Sequence, residues 1–231
     1  FRLVFKNWFS AVWVPGKSGV KLMRIYGFPI NRIYDGLYGS DDKCFIPGKP
    51  LKERSKQFLF VGQLIYRKGL DTLIEAFHKF SVNNPDWEMV IYGEGEYEEK
   101  LISCDNLILN PFAQPEVIAE AMRKSRFLVL PTLEDHWPLV VNEASLSGCG
   151  LILSNIVGNS VEFLNEKNGF SFAAKSVDQL YDCLCKAASL TEDRLDEVYE
   201  ESLRLGSYFT PEQSGERFVQ IIADLKELII D

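Results

Sequence analysis

The chain of 231 residues is predicted to fold as an α/β protein, a parallel sheet with helices on both faces. Three observations carry this expectation. From Phe58 onward, short apolar runs alternate strictly with longer amphipathic segments. Runs such as Phe127–Leu130 have the length and composition of buried strands. Between Phe127 and Ser147, a strand, an acidic loop and a helix start follow one another at once, as at the carboxyl end of a strand in an open sheet.

Taken in order, Ser10–Gly16 reads as a strand ending in a turn, and Lys17–Tyr26 as a helix stopped by Gly27-Phe28-Pro29. Ile33–Tyr38 is extended, and Pro47–Arg54 is a polar linker bearing Pro and Gly. Strands are expected at Phe58–Val61, Glu88–Tyr92, Leu107–Leu109, Phe127–Leu130, Leu151–Leu153 and Phe170–Phe172. Helices are expected at Leu70–Phe80 and Pro115–Arg123, then at Val177–Ser189 and Thr191–Leu205. Pro211 opens a last amphipathic helix to Ile230, with Phe218, Ile221, Ile222, Leu225, Leu228 and Ile229 on one stripe. Pro138 suits the first position of the helix after the acidic loop, where its missing N–H has no partner to lose.

Composition excludes several classes. Hydrophobic residues make up 46% and charged residues 25%, which is ordinary for a globular protein with one full core. No apolar run is long enough to span a bilayer. The net charge of −8 argues against broad nucleic-acid binding. The odd cysteine number (Cys44, Cys104, Cys149, Cys183, Cys185) and the lack of a CxxC pair point to reduced thiols in the cytoplasm, with no disulfide framework and no zinc site. Before Asp35 every charged residue is basic: Arg2, Lys6, Lys17, Lys21, Arg24 and Arg32, with Phe1, Phe5, Trp8, Phe9 and Trp13 interleaved. This segment reads either as the core strand and helix of a domain cut short or as a face meeting an anionic membrane, at its cytoplasmic side, or a lipid-phosphate acceptor.

Chemistry concentrates at two strand ends. Gly62 ends the first strand of the regular pattern and lets backbone approach a ligand. Arg67 and Lys68 follow at a helix start, where the helix dipole disfavours cations; that misfit points to a ligand for the charge. At the other strand end, Asp135 and Glu143 are placed to reach one polar ligand from the loop and from the helix. Gly93-Glu94-Gly95 only begins a dinucleotide fingerprint: the third glycine is absent and the turn follows the wrong strand. His78 and His136 are far apart and make no metal site.

The ordered set of Phe60–Leu70, Val90–Gly95, Asp135–Ala144 and Gly148–Asn155 resembles the retaining glycosyltransferases of family 4, including their Glu-x7-Glu motif. The resemblance spans about Phe58 to Phe172. It implies the Rossmann-like C-terminal half of a GT-B fold. Residues 1–45 would then be the end of an N-terminal acceptor domain, 46–56 a linker, 57–205 the nucleotide-sugar domain and 206–231 a crossing helix. It further implies that Lys68 contacts the donor diphosphate, that Glu143 binds ribose hydroxyls, and that Asp135 orients the transferred sugar, with Glu134 as rival. Gln63 stands where the family often carries Arg, so either Arg67 substitutes for that cation or Lys68 and a helix N-terminus carry the phosphate. Phe112 falls where backbone contacts the nucleobase, and Gly93 lies in the neighbouring turn. Trp137, Leu139 and Val140 supply N–H groups where Pro138 cannot, the Trp137 ring packing in preference to stacking on sugar. The implied activity is retaining transfer from a UDP- or GDP-sugar to an acceptor hydroxyl of a glycan or lipid, without a metal cofactor. This stretch alone is expected to be inactive. An epimerase of the same fold and a non-catalytic nucleotide-binding module are the alternatives.

Overall fold

A computed structural model describes residues 8–102 and 106–230, without the side chains of 102 and 227–230. Phe1, Arg2, Phe5, Lys6, Cys104 and the side chains of Leu228 and Ile229 therefore lie outside the described residues. The elements in chain order are β1 (Val12–Trp13), α1 (Lys17–Ile25), β2 (Ile33–Tyr34), β3 (Gln57–Val61), α2 (Leu70–Ser81), β4 (Glu88–Tyr92), α3 (Glu98–Ile102) and β5 (Leu107–Asn110). They continue with α4 (Pro115–Lys124), β6 (Phe127–Leu130), α5 (Leu139–Leu146), β7 (Gly150–Ser154), α6 (Ser160–Phe163), β8 (Gly169–Phe172), α7 (Val177–Ala188), α8 (Glu192–Gly206) and α9 (Pro211–Ile230). Among the described residues, no helix is long and apolar enough to cross a membrane.

The chain forms two compact units, Phe1–Asp41 with Tyr208–Asp231, and Asp42–Ser207. In the first, β1 and β2 pair in parallel, Val12 opposite Ile33 and Trp13 opposite Tyr34. Val14, Phe28 and Ile33 form its core, with Val12, Val20 and Met23 packed against them. The extended run expected at Ile33–Tyr38 pairs only as far as Tyr34, because Gly36 turns the chain with φ 78°. The Trp13 ring stacks on Phe218 with centroids 5.8 Å apart, placing α9 in this unit. Leu22 and Ile25 on α1 are exposed beside Lys17, Lys21 and Arg24.

The second unit is a parallel sheet in the order β5-β4-β3-β6-β7-β8. Its β6 and β7 are buried at every residue, as strands covered on both faces must be. Phe58 stacks on Trp87 at 4.5 Å and meets Phe80 edge-on at 5.5 Å, so aromatic rings from β3 and α2 fill one layer of the core. The stretch read as a linker is built into this unit. Leu51 is fully buried, and Arg54, only 5% exposed, donates to the carbonyls of Lys49 (2.6 Å), Met122 (3.0 Å), Ser125 (3.1 Å) and Ser147 (2.7 Å). The carbonyls of Met122, Ser125 and Ser147 end α4 and α5, where helix dipoles present negative charge and orphan acceptors. Two short helices, α3 and α6, have too little periodicity to be read from sequence.

Arg54→Leu should destabilise the fold by about 3 kcal/mol or more, since several buried carbonyls lose their donor. Urea unfolding would check this, and Arg54→Lys should recover little of the loss because one ammonium cannot span the same acceptors.

Candidate functional site

The strand order reverses between β3 and β6, which opens a crevice at their carboxyl ends. After β3 the chain passes Gly62 and Gln63 into a tight turn at Tyr66–Lys68, then takes a left-handed step at Gly69 (φ 72°) into α2. A Cβ at Gly69 would lie 2.0 Å from the carbonyl oxygen of Pro131, so only glycine lets the two loops touch. The contact is then locked. The Arg67 carbonyl accepts from Leu133 N (2.7 Å) and Thr132 Oγ1 (3.0 Å), and Ser154 Oγ donates to the Thr132 carbonyl (2.6 Å). This brings Lys68 Nζ to 2.5 Å from Asp135 Oδ2, with the two side chains 11% and 14% exposed. An ion pair so far removed from water is held by its geometry and by the cost of leaving either charge without the other.

The turn after β4 is zipped onto the same loop. Gly62 N donates to the Tyr92 carbonyl (3.0 Å), Leu64 N to Glu94 (2.9 Å) and Tyr97 N back to Leu64 (3.2 Å). Gly93 permits this approach, since a Cβ there would meet the Gly62 carbonyl at 2.0 Å. Tyr97 donates from its hydroxyl to Asp71 Oδ2 at 2.6 Å; the bond pushes Tyr97 up to about 12 and holds Asp71 below the usual carboxylate range. Between these turns and the end of β5 lies a cleft of about 460 Å³, lined among others by Gly62, Gln63, Gly93, Glu94 and Phe112. Phe112 is 66% exposed at its rim.

The α5 start differs from the sequence expectation by one residue. Pro138 is the N-cap, with ψ 111°, and Leu139 is the first helical residue. The reason is that the Pro138 carbonyl accepts from Val141 N (3.2 Å) and from Asn159 Nδ2 (3.0 Å), which holds that residue extended. The Asp135 carbonyl in turn accepts from Gly158 N at 2.9 Å. The Trp137 ring stands edge-on to Phe163, at 6.2 Å. Among the described residues, no acceptor meets the N–H groups of Leu139 and Val140, which leaves the positive end of α5 open.

Glu143 sits one turn further along α5. Its carboxylate has no hydrogen-bond or ion-pair partner among the described residues, and burial alone pushes its pKa up to about 7. A desolvated carboxyl group without a partner is a candidate for contact with a ligand.

Of the residues singled out from sequence, Lys68 and Asp135 meet directly, while Gly62, Gln63, Gly93 and Phe112 share the cleft. Arg67 reaches Gln63 Oε1 (3.4 Å) and the Glu134 carbonyl (3.2 Å). Glu143 makes no bond to either member of the ion pair, and Glu134 is exposed, its carboxylate 3.9 Å from His136. Sequence reasoning missed the brace from Gly158 and Asn159 and the Tyr97–Asp71 latch. The glycine after β7 was the signal for the first; the latch leaves no pattern in the sequence. Among the described residues, no group of three or more His, Cys, Asp or Glu could hold a metal ion.

Comparison with known proteins decides the family, since residues 42–201 match the family model of glycosyl transferases group 1. The chain belongs to that family. A curated relative, the Escherichia coli UDP-Gal:alpha-D-GlcNAc-diphosphoundecaprenol alpha-1,3-galactosyltransferase, is 28% identical over 191 residues, covering 78% of this chain and 47% of its own. The phosphatidylinositol N-acetylglucosaminyltransferase gpi3 subunit of Schizosaccharomyces pombe is 28% identical over 62% of this chain and 32% of its own. The chain thus spans less than half the length of these relatives. Among solved structures, the C-terminal domain of a glycosyl transferase group 1 family protein from Francisella tularensis superposes with a TM-score of 0.63 at 22% identity, covering 73% of this chain and 97% of that domain. Sucrose-phosphate synthase from Thermosynechococcus elongatus reaches 0.80 at 17% identity, over 98% of this chain and 62% of that one. The group 1 glycosyltransferase domain therefore has the C-terminal GT-B architecture expected from its sequence.

The Glu143 shift has a consequence for stability. Its pKa is raised in the fold from an ordinary value of 4.5, so the folded state is favoured while the group is protonated. That advantage is full below pH 4.5 and is lost as pH rises through about 7. Glu143→Gln should therefore gain stability relative to wild type across this interval, by up to about 3 kcal/mol, and hold a constant difference above it. Thermal unfolding at a series of pH values would check the trend.

Proposed function

We propose that the crevice binds a nucleotide-sugar donor and that the whole protein transfers the sugar, with retained anomeric configuration, to a glycan or lipid hydroxyl. The observation that carries the reading is the arrangement at the β3 and β6 ends: a buried Lys68–Asp135 pair and, among the described residues, an open α5 N-terminus and an unpartnered Glu143. Each suits one part of a donor. Lys68 and the α5 amides balance a diphosphate, whose developing charge in the transition state is the main object of electrostatic catalysis. Glu143 accepts the two hydroxyls of a ribose, and Asp135 orients the sugar. The cleft between Gly62, Gly93 and Phe112 takes the base. The Escherichia coli relative is named for a UDP-Gal donor, which favours a UDP-sugar over a GDP-sugar here.

Lys68→Ala should weaken binding of UDP or GDP by roughly tenfold or more while barely changing uridine or guanosine, because one charge-assisted hydrogen bond to phosphate is worth about 1.5–3 kcal/mol. Isothermal titration with both ligand classes tests the assignment, and equal weakening of nucleoside and diphosphate would count against it.

We also propose that divalent metal is not required, with Lys68 and the helix N-terminus supplying the positive charge. Protein treated with a chelator should bind UDP as tightly as protein given magnesium or manganese. A steep metal-dependent gain in affinity that disappears in Asp135→Asn would instead make Asp135 a metal ligand.

A further inference from the structure

The first unit carries a surface that the donor reading does not use. Along α1, Val20 and Met23 turn inward and pack against Val14, Phe28 and Ile33. Leu22 and Ile25 fall on the far side of the same helix and are 44% and 50% exposed. A surface helix ordinarily presents polar residues on that side. Lys17, Lys21 and Arg24 follow one another at spacings of four and three, so they form a stripe beside the apolar pair. These three cations, with Val20 and Ile25, line an open groove of about 460 Å³. The side chains of Lys21 and Arg24 make no hydrogen bond or ion pair among the described residues. No acidic residue occurs from Trp8 to Tyr34, where Arg32 adds a further cation.

We propose that this face of α1 docks the protein on an anionic lipid bilayer. Leu22 and Ile25 enter the boundary between headgroups and acyl chains, and Lys17, Lys21 and Arg24 lie along the lipid phosphates. Two arguments select a bilayer as the occupant. The first is charge. The whole chain carries −8, so an anionic surface repels most of it and attracts this stretch, which fixes the face that meets the lipid. The second is layering. Apolar and cationic residues occupy adjacent stripes of one helix, as a membrane interface demands, with hydrocarbon beneath and phosphate above. The long stems of Lys and Arg let the charged ends rise to the headgroups while their carbons stay beside Leu22 and Ile25. Two apolar side chains are too few to hold the protein on a neutral bilayer, and three cations alone are screened by salt. Together they make docking conditional on lipid charge. The proposal does not rest on the donor-binding reading, which concerns the other unit.

Sedimentation of the chain with lipid vesicles tests the proposal. Vesicles of phosphatidylcholine and phosphatidylglycerol in equal parts should carry the chain down, and vesicles of phosphatidylcholine alone should leave it in solution. Added salt should release it. Lys21→Gln with Arg24→Gln should lower affinity for the mixed vesicles roughly thirtyfold, since each cation at an anionic surface contributes about fivefold. Leu22→Ser with Ile25→Ser should lose roughly tenfold or more while the remaining binding stays sensitive to salt. All four positions are exposed, so both double variants should unfold thermally at the wild-type temperature, which separates lost docking from lost folding. Equal binding to the two kinds of vesicle would overturn the proposal, as would binding to mixed vesicles that neither double variant reduces. Absence of binding to mixed vesicles would also overturn it. If the chain then self-associates and Leu22→Ser with Ile25→Ser makes it monomeric, the apolar pair is an interface between copies. If polyglutamate binds the cationic stripe and the vesicles do not, the surface recognises an acidic chain instead of lipid.

Discussion

The second unit is organised around one buried guanidinium. Arg54 leaves the stretch before β3 and enters the core, where carbonyls from the ends of α4 and α5 converge on it. Among the described residues no carboxylate neutralises it there; the ends of two helix dipoles and the ring of Tyr199, at 5.6 Å, do so instead. A helix clamped at its C-terminal end can hold its N-terminal end still. At its other end α5 carries the amides of Leu139 and Val140 and the carboxylate of Glu143, none of which has a partner among the described residues. Catalytic and binding groups need such support because small displacements are costly to them.

At the other end of α5 the constraint is steric. The β3 and β6 loops are in van der Waals contact through Gly69 and Pro131, and the β3 and β4 turns through Gly62 and Gly93. Glycine at 69 and 93 removes the side chains that would hold these backbones apart. The result is that groups 67 residues apart in the chain meet: Lys68 on the Asp135 carboxylate and Arg67 on the neutral Glu134 carbonyl. The site so formed is close to neutral when counted as pairs, with a desolvated Glu143 beside it.

Much of this was legible in the sequence. Each of the six strands of the large sheet falls within one residue of its expected limits, because short apolar runs between helical segments leave a parallel sheet as the arrangement that buries them all. Lys68 stood out because a cation at a helix start opposes the helix dipole, whereas the roles expected of Asp135 and Glu143 came from the resemblance to the family. The start of α5 was read one residue early, since Pro138 satisfies the rule for a first helical residue equally well as an N-cap; its carbonyl was claimed by Asn159, which is distant in sequence. Arg54 was read as part of a polar linker for the same reason: every carbonyl it binds except that of Lys49 belongs to a helix end far along the chain.

The sequence by itself determined the sheet, the helices that cover it and the residue types at its carboxyl edge, because periodicity and glycine placement are local properties. Only the tertiary structure decided how the charges are partitioned. Among the described residues, Asp135 is taken by Lys68, Arg67 rests on neutral oxygens, and Glu143 is left without a partner. Ion pairing depends on distances of a few ångströms between segments that the chain brings together only after it has folded, and no spacing along the sequence encodes those distances.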